Sequence, residues 1–278
     1  AQSWQDQGSP ASFVLAELGP GRGTLMADIL RIASRVDGML DAAEIWLIEA
    51  SPSLRAVQQQ CLSGRKVRWV DQVTDLPDKP LFLIANEFFD ALPIRQFVRT
   101  EQGWQEQMIG LDQGALCFGL AAPMQIEVLE DRHASARLGQ VVETNAAATG
   151  IASELARRIA GFGGVALIVD YGDWGSDGDT FQALRRHQKQ HPLLTPGQAD
   201  LTAHVDFAAL AHAAKGVAVT GLTAQGVLLE RLGITARAQS LAANMRAASL
   251  ESHIAAHHRL THPDEMGTLF KALALYPQ

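Results

Sequence analysis

Glu17-Leu18-Gly19-Pro20-Gly21-Arg22-Gly23 is the stretch that most restricts how this chain folds. It follows an apolar run, Phe13-Val14-Leu15-Ala16, and leads into a helical pattern from Thr24. A strand that turns through three glycines into a helix presents bare backbone to a ligand, because glycine accepts both left-handed dihedrals and close approach. The dinucleotide fingerprint G-x-G-x-x-G does not fit: counted from Gly19 it demands glycine at position 24, where threonine stands. A carboxylate two residues before the first glycine suits a ligand with a cationic amino-acid end, S-adenosylmethionine. Glu17 attracts that end directly or through water. The competing reading is a strand-to-helix turn with no ligand.

Strand and helix patterns alternate from this point. Thr24 caps a helix to about position 36, with Leu25, Ile29, Ile32 and Val36 on one face. Ile45-Trp46-Leu47-Ile48 reads as a buried strand ending at Glu49, and Ser51-Pro52 opens a helix carrying Leu54, Val57 and Cys61. Short strands follow at 67–70 and 81–85, the second an unbroken apolar run typical of a strand covered on both faces. Residues 96–111 read as a hairpin turning at 101–103, inside an insertion spanning about 92–149. The alternation resumes with a helix over 151–159 and a strand over 165–169. Residues 172–205 read as a long loop region; a helix at 207–214, a strand at 217–219, more helix over 228–250 and a strand at 268–276 complete the chain. Alternating βα units imply one α/β domain over 1–278, a mostly parallel sheet with helices on both faces.

Ligands of such sheets sit beyond the carboxyl ends of the strands. Glu17, Glu49, Asp71, Asn86, Glu87 and Asp170 all follow predicted strands, so one rim collects most of the acidic candidates. Glu49 accepts from ribose hydroxyls or caps the next helix. Asp71 accepts from the adenine amino group or closes an Asx-turn. In Asn86-Glu87-Phe88-Phe89-Asp90, the amide and Glu87 stand beside the transferring methyl with a phenylalanine excluding water, or the phenylalanines pack the next helix. Asp170-Tyr171 and residues 200–206 border a substrate cleft, where His204 is a base or a structural donor. His253, His257, His258 and His262 lack the cysteine or carboxylate partners of a metal shell, so no metal is expected.

A net charge of −7 with no basic block argues against nucleic acid as a partner. Cys61 and Cys117 lie far apart and form no disulfide framework, which makes a reducing compartment the default. Residues 1–12 lack a signal-peptide layout, and no apolar run is long enough to span a bilayer.

Residues 17–25, 86–93, 169–172, 178–180, 199–207 and 265–275 together resemble the MidA-like S-adenosylmethionine-dependent methyltransferases. The mitochondrial branch of that family is a protein arginine methyltransferase of complex I assembly. The resemblance implies a seven-stranded methyltransferase sheet with a family-specific insertion, and cofactor contact by Gly19, Gly21, Gly23 and Glu49. It also implies a protein client presenting an arginine, in the cytoplasm of a bacterium or the mitochondrial matrix of a eukaryote. Paired carboxylates suit a guanidinium because they meet its planar fork, and Glu87 with Asp90 are the candidates, Asp170 in reserve. Family members usually carry an N-terminal segment over the cofactor site with no counterpart before Ala1, so the expectation is either an open cleft or a site that lies partly outside this sequence. A small-molecule methyltransferase and a non-catalytic assembly factor share every one of these cofactor features.

Overall fold

The computed structural model describes residues 1–175, 178–186 and 188–278. A short helix α1 (Gln2–Asp6) buries Trp4 ahead of the first strand, β1 (Phe13–Leu18), all six of whose residues are buried. Gly23 stands in the left-handed region (φ 81°) at the start of α2 (Thr24–Ala33). It is therefore glycine, and not Thr24, that occupies the capping position. The stripe α2 buries is Met26, Leu30 and Ala33, while Ile32 is 48% exposed. After α3 (Met39–Ala42) and β2 (Ala43–Ile48), Ser51 Oγ caps α4 (Pro52–Cys61) by accepting from Leu54 N–H. The strands β3 (Val67–Val70) and β4 (Leu81–Asn86) complete the first half.

The chain then leaves the sheet. Strands β5 (Arg95–Thr100) and β6 (Gly103–Asp112) form the expected hairpin, pairing Gln96 with Gln107 and Thr100 with Gly103. The insertion goes further than a hairpin: β7 (Ala115–Leu120), α5 (Glu127–Arg132) and β8 (Val141–Thr144) make a four-stranded antiparallel sheet, ordered β7-β6-β5-β8. Gln113 and Gly114, both at positive φ, form the tight two-residue turn that suits the twist of β6–β7. Phe97, Trp104, Leu129 and Val142 give this insertion a core of its own.

Asn145 caps α6 (Ala146–Phe162) through Ala148 N–H, and α6 returns the chain to β9 (Gly164–Asp173) in the main sheet. The expected loop at 172–205 holds a second small sheet of β10 (Gln182–Arg185), β11 (Gln188–Gln190) and β12 (Asp200–Thr202), while residues 176, 177 and 187 lie outside the described residues. The chain continues through β13 (Val205–Asp206), α7 (Phe207–Ala213), β14 (Ala218–Val219) and β15 (Thr223–Ala224). The expected long helix over 228–250 is instead three, α8 (Gln225–Arg231), α9 (Ile234–Ala242) and α10 (Ala247–Thr261); Gly233 at φ 82° starts α9 afresh. A single turn α11 (Met266–Leu269) precedes the last strand, β16 (Phe270–Tyr276).

Among the described residues the central sheet has nine strands and mixed direction, not seven mostly parallel ones. Its order is β14-β16-β9-β4-β1-β2-β3, with β13 on β9 and β15 on β16. The pairs of β3, β2, β1, β4 and β9 are parallel; β16 runs antiparallel to β9 and carries β14 and β15 antiparallel to itself. Helices cover both faces. Val14, Ala16 and Leu18 pack toward α6 and α7 with Leu155, Ile159 and Phe207, while Phe13 and Leu15 pack toward α2 with Met26 and Leu30. The chain order reverses between β1 and β4, which opens a crevice beyond their carboxyl ends.

Candidate active site

The crevice is built from what leaves β1 and β4. Glu17 sits within β1, on the face that α2 covers, and is 3% exposed. Burial raises its carboxyl to about 7, and the backbone N–H of Met26, in the first turn of α2, offsets part of that cost. Its Oε2 is buried with no hydrogen-bond partner. A buried carboxylate oxygen without a donor is costly and marks a place where a donor belongs.

The glycine loop closes against the turn after β4. Gly19 takes φ 60°, and a Cβ there would stand 2.6 Å from Phe88 Cδ2. Gly21, at φ 52°, has no atom near its would-be Cβ and faces open space. Gly23 rests on Gln58, which is fully buried. The Gln58 side chain donates to Gly21 O (2.8 Å) and Glu49 Oε2 (3.2 Å) and accepts from Trp69 Nε1 (2.9 Å). It thus ties the loop after β1 to the acid after β2. The pattern Leu54, Gln58, Leu62 at a spacing of four was its sequence signal; its position in a run of three glutamines hid it. Glu49 Oε1 accepts from Ser51 N–H (2.8 Å), so this acid does support the start of α4 and still has lone pairs toward the crevice. Asp71 forms no Asx-turn: its carboxylate, 73% exposed, pairs with Arg55 (2.8 Å), whose Nε donates to Glu49 O (2.6 Å).

Beyond β4 the chain makes a tight turn. Glu87 adopts φ 51°, a left-handed conformation that costs a residue with a Cβ roughly 1–2 kcal/mol. Its N–H is held by Val169 O (3.0 Å). The carboxylate that organises the turn is Asp170. It lies inside β9, is fully buried, and accepts at Oδ2 from the N–H groups of Phe88 (3.1 Å), Phe89 (2.9 Å) and Asp90 (3.3 Å), and at Oδ1 from Tyr171 N–H (2.9 Å). With those donors in place Asp170 holds the turn from inside the sheet. Asp90, 6% exposed, keeps Oδ1 buried without a partner. Burial raises both carboxyls above the ordinary range, and the charge of Asp90 adds to the rise at Asp170. Glu87 is raised by desolvation in the cleft and by Asp90, with Asn86 and Arg259 opposing. The packing role is the one seen: Phe89 is core, and Phe88 packs edge-on against it while meeting the glycine loop.

His204 lies farther along the rim. Its backbone N–H donates to Thr180 Oγ1 (2.8 Å) and its ring stands edge-on to Tyr171. Burial lowers its pKa, which favours the neutral ring. Thr180 in turn is fixed by Glu143 of β8, a buried acid that also receives Gln96 Nε2 (2.8 Å). The insertion and the segment 178–180 are thereby locked together, a contact no local pattern announced. The four histidines near the C-terminus serve helix contacts: His253 meets Ala238 O, His257 meets Thr235, and His258 pairs with Glu265 and stacks on His262. A cavity of 830 Å³ lies between the insertion and helices α6 and α7, away from the glycine loop.

Residues 1–227 match the family model described as "Putative S-adenosyl-L-methionine-dependent methyltransferase". The chain belongs to this family. Among its relatives, protein arginine methyltransferase NDUFAF7, mitochondrial, of Danio rerio is 36% identical, over 96% of this chain and 70% of that protein. The protein of the same name in Homo sapiens is 34% identical, over 99% and 68%. A COG1565 superfamily crystal structure from Burkholderia thailandensis bound to S-adenosyl-homocysteine superposes with a TM-score of 0.82 at 28% identity, covering 99% of this chain and 73% of that one. The crevice fits a methyltransferase of this family on its own terms: a buried acid with a free oxygen at a helix N-terminus, a glycine loop with open space above Gly21, and a second acid after β2.

Proposed function

We propose that this methyltransferase modifies an arginine side chain of a protein client, of the respiratory complex I subunit type, with residues 1–278 acting as one domain. The observation that carries the reading is Asp90: a buried carboxylate with an unpartnered oxygen, beside Glu87 on the turn that touches the glycine loop. The names of the relatives, which are arginine methyltransferases, support it. S-adenosylmethionine, when bound, supplies a methyl group activated on a sulfonium. Glu17 would hold its cationic end, Gly19, Gly21 and Gly23 would leave room for it, and Glu49, steadied by Gln58, would accept from its hydroxyls.

A guanidinium stays protonated in water, so the protein must orient one nitrogen and accept its proton. Asp90 and Glu87 suit that task because their surroundings raise their proton affinity and the charge of Asp90 bears on Glu87, which a planar cation between them would offset. Asp170 and His204 are positioning residues: the first holds the turn, the second packs the ring of Tyr171. Glu87→Gln removes the base and keeps the shape. In assays with radiolabelled donor and arginine-bearing complex I subunits, it abolishes transfer while calorimetric affinity for S-adenosylhomocysteine stays within a few-fold. Loss of cofactor affinity in that variant would place Glu87 in the binding shell and remove it from catalysis.

A further inference from the structure

A second cavity, 310 Å³, opens on the other side of the Asp90 turn, between the β6–β7 hairpin and the β10–β12 sheet. Its walls are Ile109 and Phe118 from the hairpin and Phe181 and Leu201 from the opposite side, and Asp90 and Thr202 also line it. Ile109 and Phe118 are directly paired across β6 and β7, so they present one face together. Asp90 is the one ionisable residue among the described residues that line it. The two glutamines there are committed to each other and to acids: Gln107 Nε2 donates to Gln96 Oε1 (2.6 Å), and Gln96 Nε2 to Glu143 and Asp179. Among the described residues no cation on these walls competes for Asp90, whose Oδ1 has no hydrogen-bond partner and whose carboxyl has the Tyr171 hydroxyl as its side-chain neighbour. The lining is thus an apolar passage with one buried acid on it and a mouth flanked by Ile109, 54% exposed, and Leu201, 47% exposed.

We infer that this cavity is the entrance for the arginine side chain of an extended client segment: the aliphatic stem lies between Ile109, Phe118, Phe181 and Leu201, the guanidinium meets Asp90, and an apolar residue beside the arginine rests on the exposed hairpin face. The inference rests on the arginine reading above and deepens it by naming the path and the flanking preference. The chemistry of the passage matches that occupant. An arginine is apolar along its stem and cationic only at its tip, and a buried unpaired carboxylate gains most from such a cation. The volume lies at the low end of ligand sites, about 300–1,000 Å³, which suits one side chain inserted from a chain lying outside. The larger cavity near α6 and α7 lacks this logic, since the Arg132 and Asp206 on its wall already pair with each other (2.6 Å).

The test measures binding apart from turnover. Fluorescence anisotropy, at saturating S-adenosylhomocysteine, compares a labelled nonapeptide carrying one leucine-flanked arginine with the same peptide carrying citrulline. The wild-type chain binds the arginine peptide at least tenfold more tightly. Asp90→Asn erases that preference. Ile109→Asn, a neutral change at an exposed mouth position, weakens the arginine peptide at least fivefold and leaves S-adenosylhomocysteine affinity and melting temperature unchanged. Should Asp90→Asn fail to fold, the Ile109→Asn result decides. Wild-type affinity in Ile109→Asn, with methyl transfer to the peptide intact, would place the entrance elsewhere and leave the arginine reading standing. Equal binding of the two peptides with no transfer to arginine, in a chain that binds S-adenosylhomocysteine, would remove the arginine reading and this inference with it.

Discussion

At the residue scale, Gly19 carries two demands at once. Its backbone is left-handed, and the space a side chain would take belongs to Phe88. Gly19→Ala therefore combines backbone strain with a clash, and roughly 1–3 kcal/mol of stability is lost. Phe88→Ala has its own packing cost but relieves the clash share and not the strain share, so in calorimetric scans the two changes together cost less than the sum of their separate losses. Strictly additive losses would show that Phe88 does not press on the loop. Gln58 shows the same logic: a polar residue is buried here with both amide donors used, toward Gly21 and Glu49, and its oxygen accepting from Trp69.

At the element scale, the site depends on β9 more than on the turn that displays it. Three successive N–H groups of the turn after β4 converge on one Asp170 oxygen. Asp170→Asn leaves one neutral oxygen for these three donors and turns an amide donor toward the Tyr171 N–H that the other oxygen accepted, so the turn's anchor is weakened. A loss of about 2–4 kcal/mol is expected from chemical denaturation, with faster amide exchange at Phe88, Phe89 and Asp90. Unchanged exchange at those three amides would show that β4 alone shapes the turn. The same logic explains the irregular C-terminal half. None of the residues of α9 and α10 is fully buried, so these helices lean on neighbours through His253, His257 and side-chain polar contacts.

For the whole molecule, the buried acids set a pH profile. Glu17 rises from an ordinary 4.5 to about 7 on folding, and the buried Asp90 and Asp170 are also raised. A raised folded value means that the native state holds its proton longer than the unfolded chain does. Stability from Glu17 is thus full below about pH 4.5 and is lost as pH rises through 7, by on the order of 3 kcal/mol. The melting temperature falls between pH 5 and pH 8, less steeply in Glu17→Gln. S-adenosylhomocysteine, whose amino group is cationic, restores more of it at pH 8 than at pH 5 in the wild type. A melting temperature that rises across that window would mean that Glu17 is ionised and already satisfied. No helix among the described residues is long and apolar enough to cross a membrane.

What could be read from the order of residues was local. The glycine loop, the apolar strands β1, β4 and β9, the β5–β6 hairpin and the acids Glu49, Asp71 and Glu87 just after their strands announce themselves within a few residues, because turn chemistry and strand burial are short-range properties. What needed the tertiary structure was long-range. Asp170 meets amides about 80 positions away, and Gln58 meets a loop 37 positions away. The mixed direction of the sheet follows from β16 returning beside β9, and the small sheet of β10–β12 forms in a stretch whose polar composition suggests loop. Even the passage that ends at Asp90 exists only because the insertion and the segment after β9 face each other. Composition states which side chains are available, but only packing decides which buried oxygen is left without a partner.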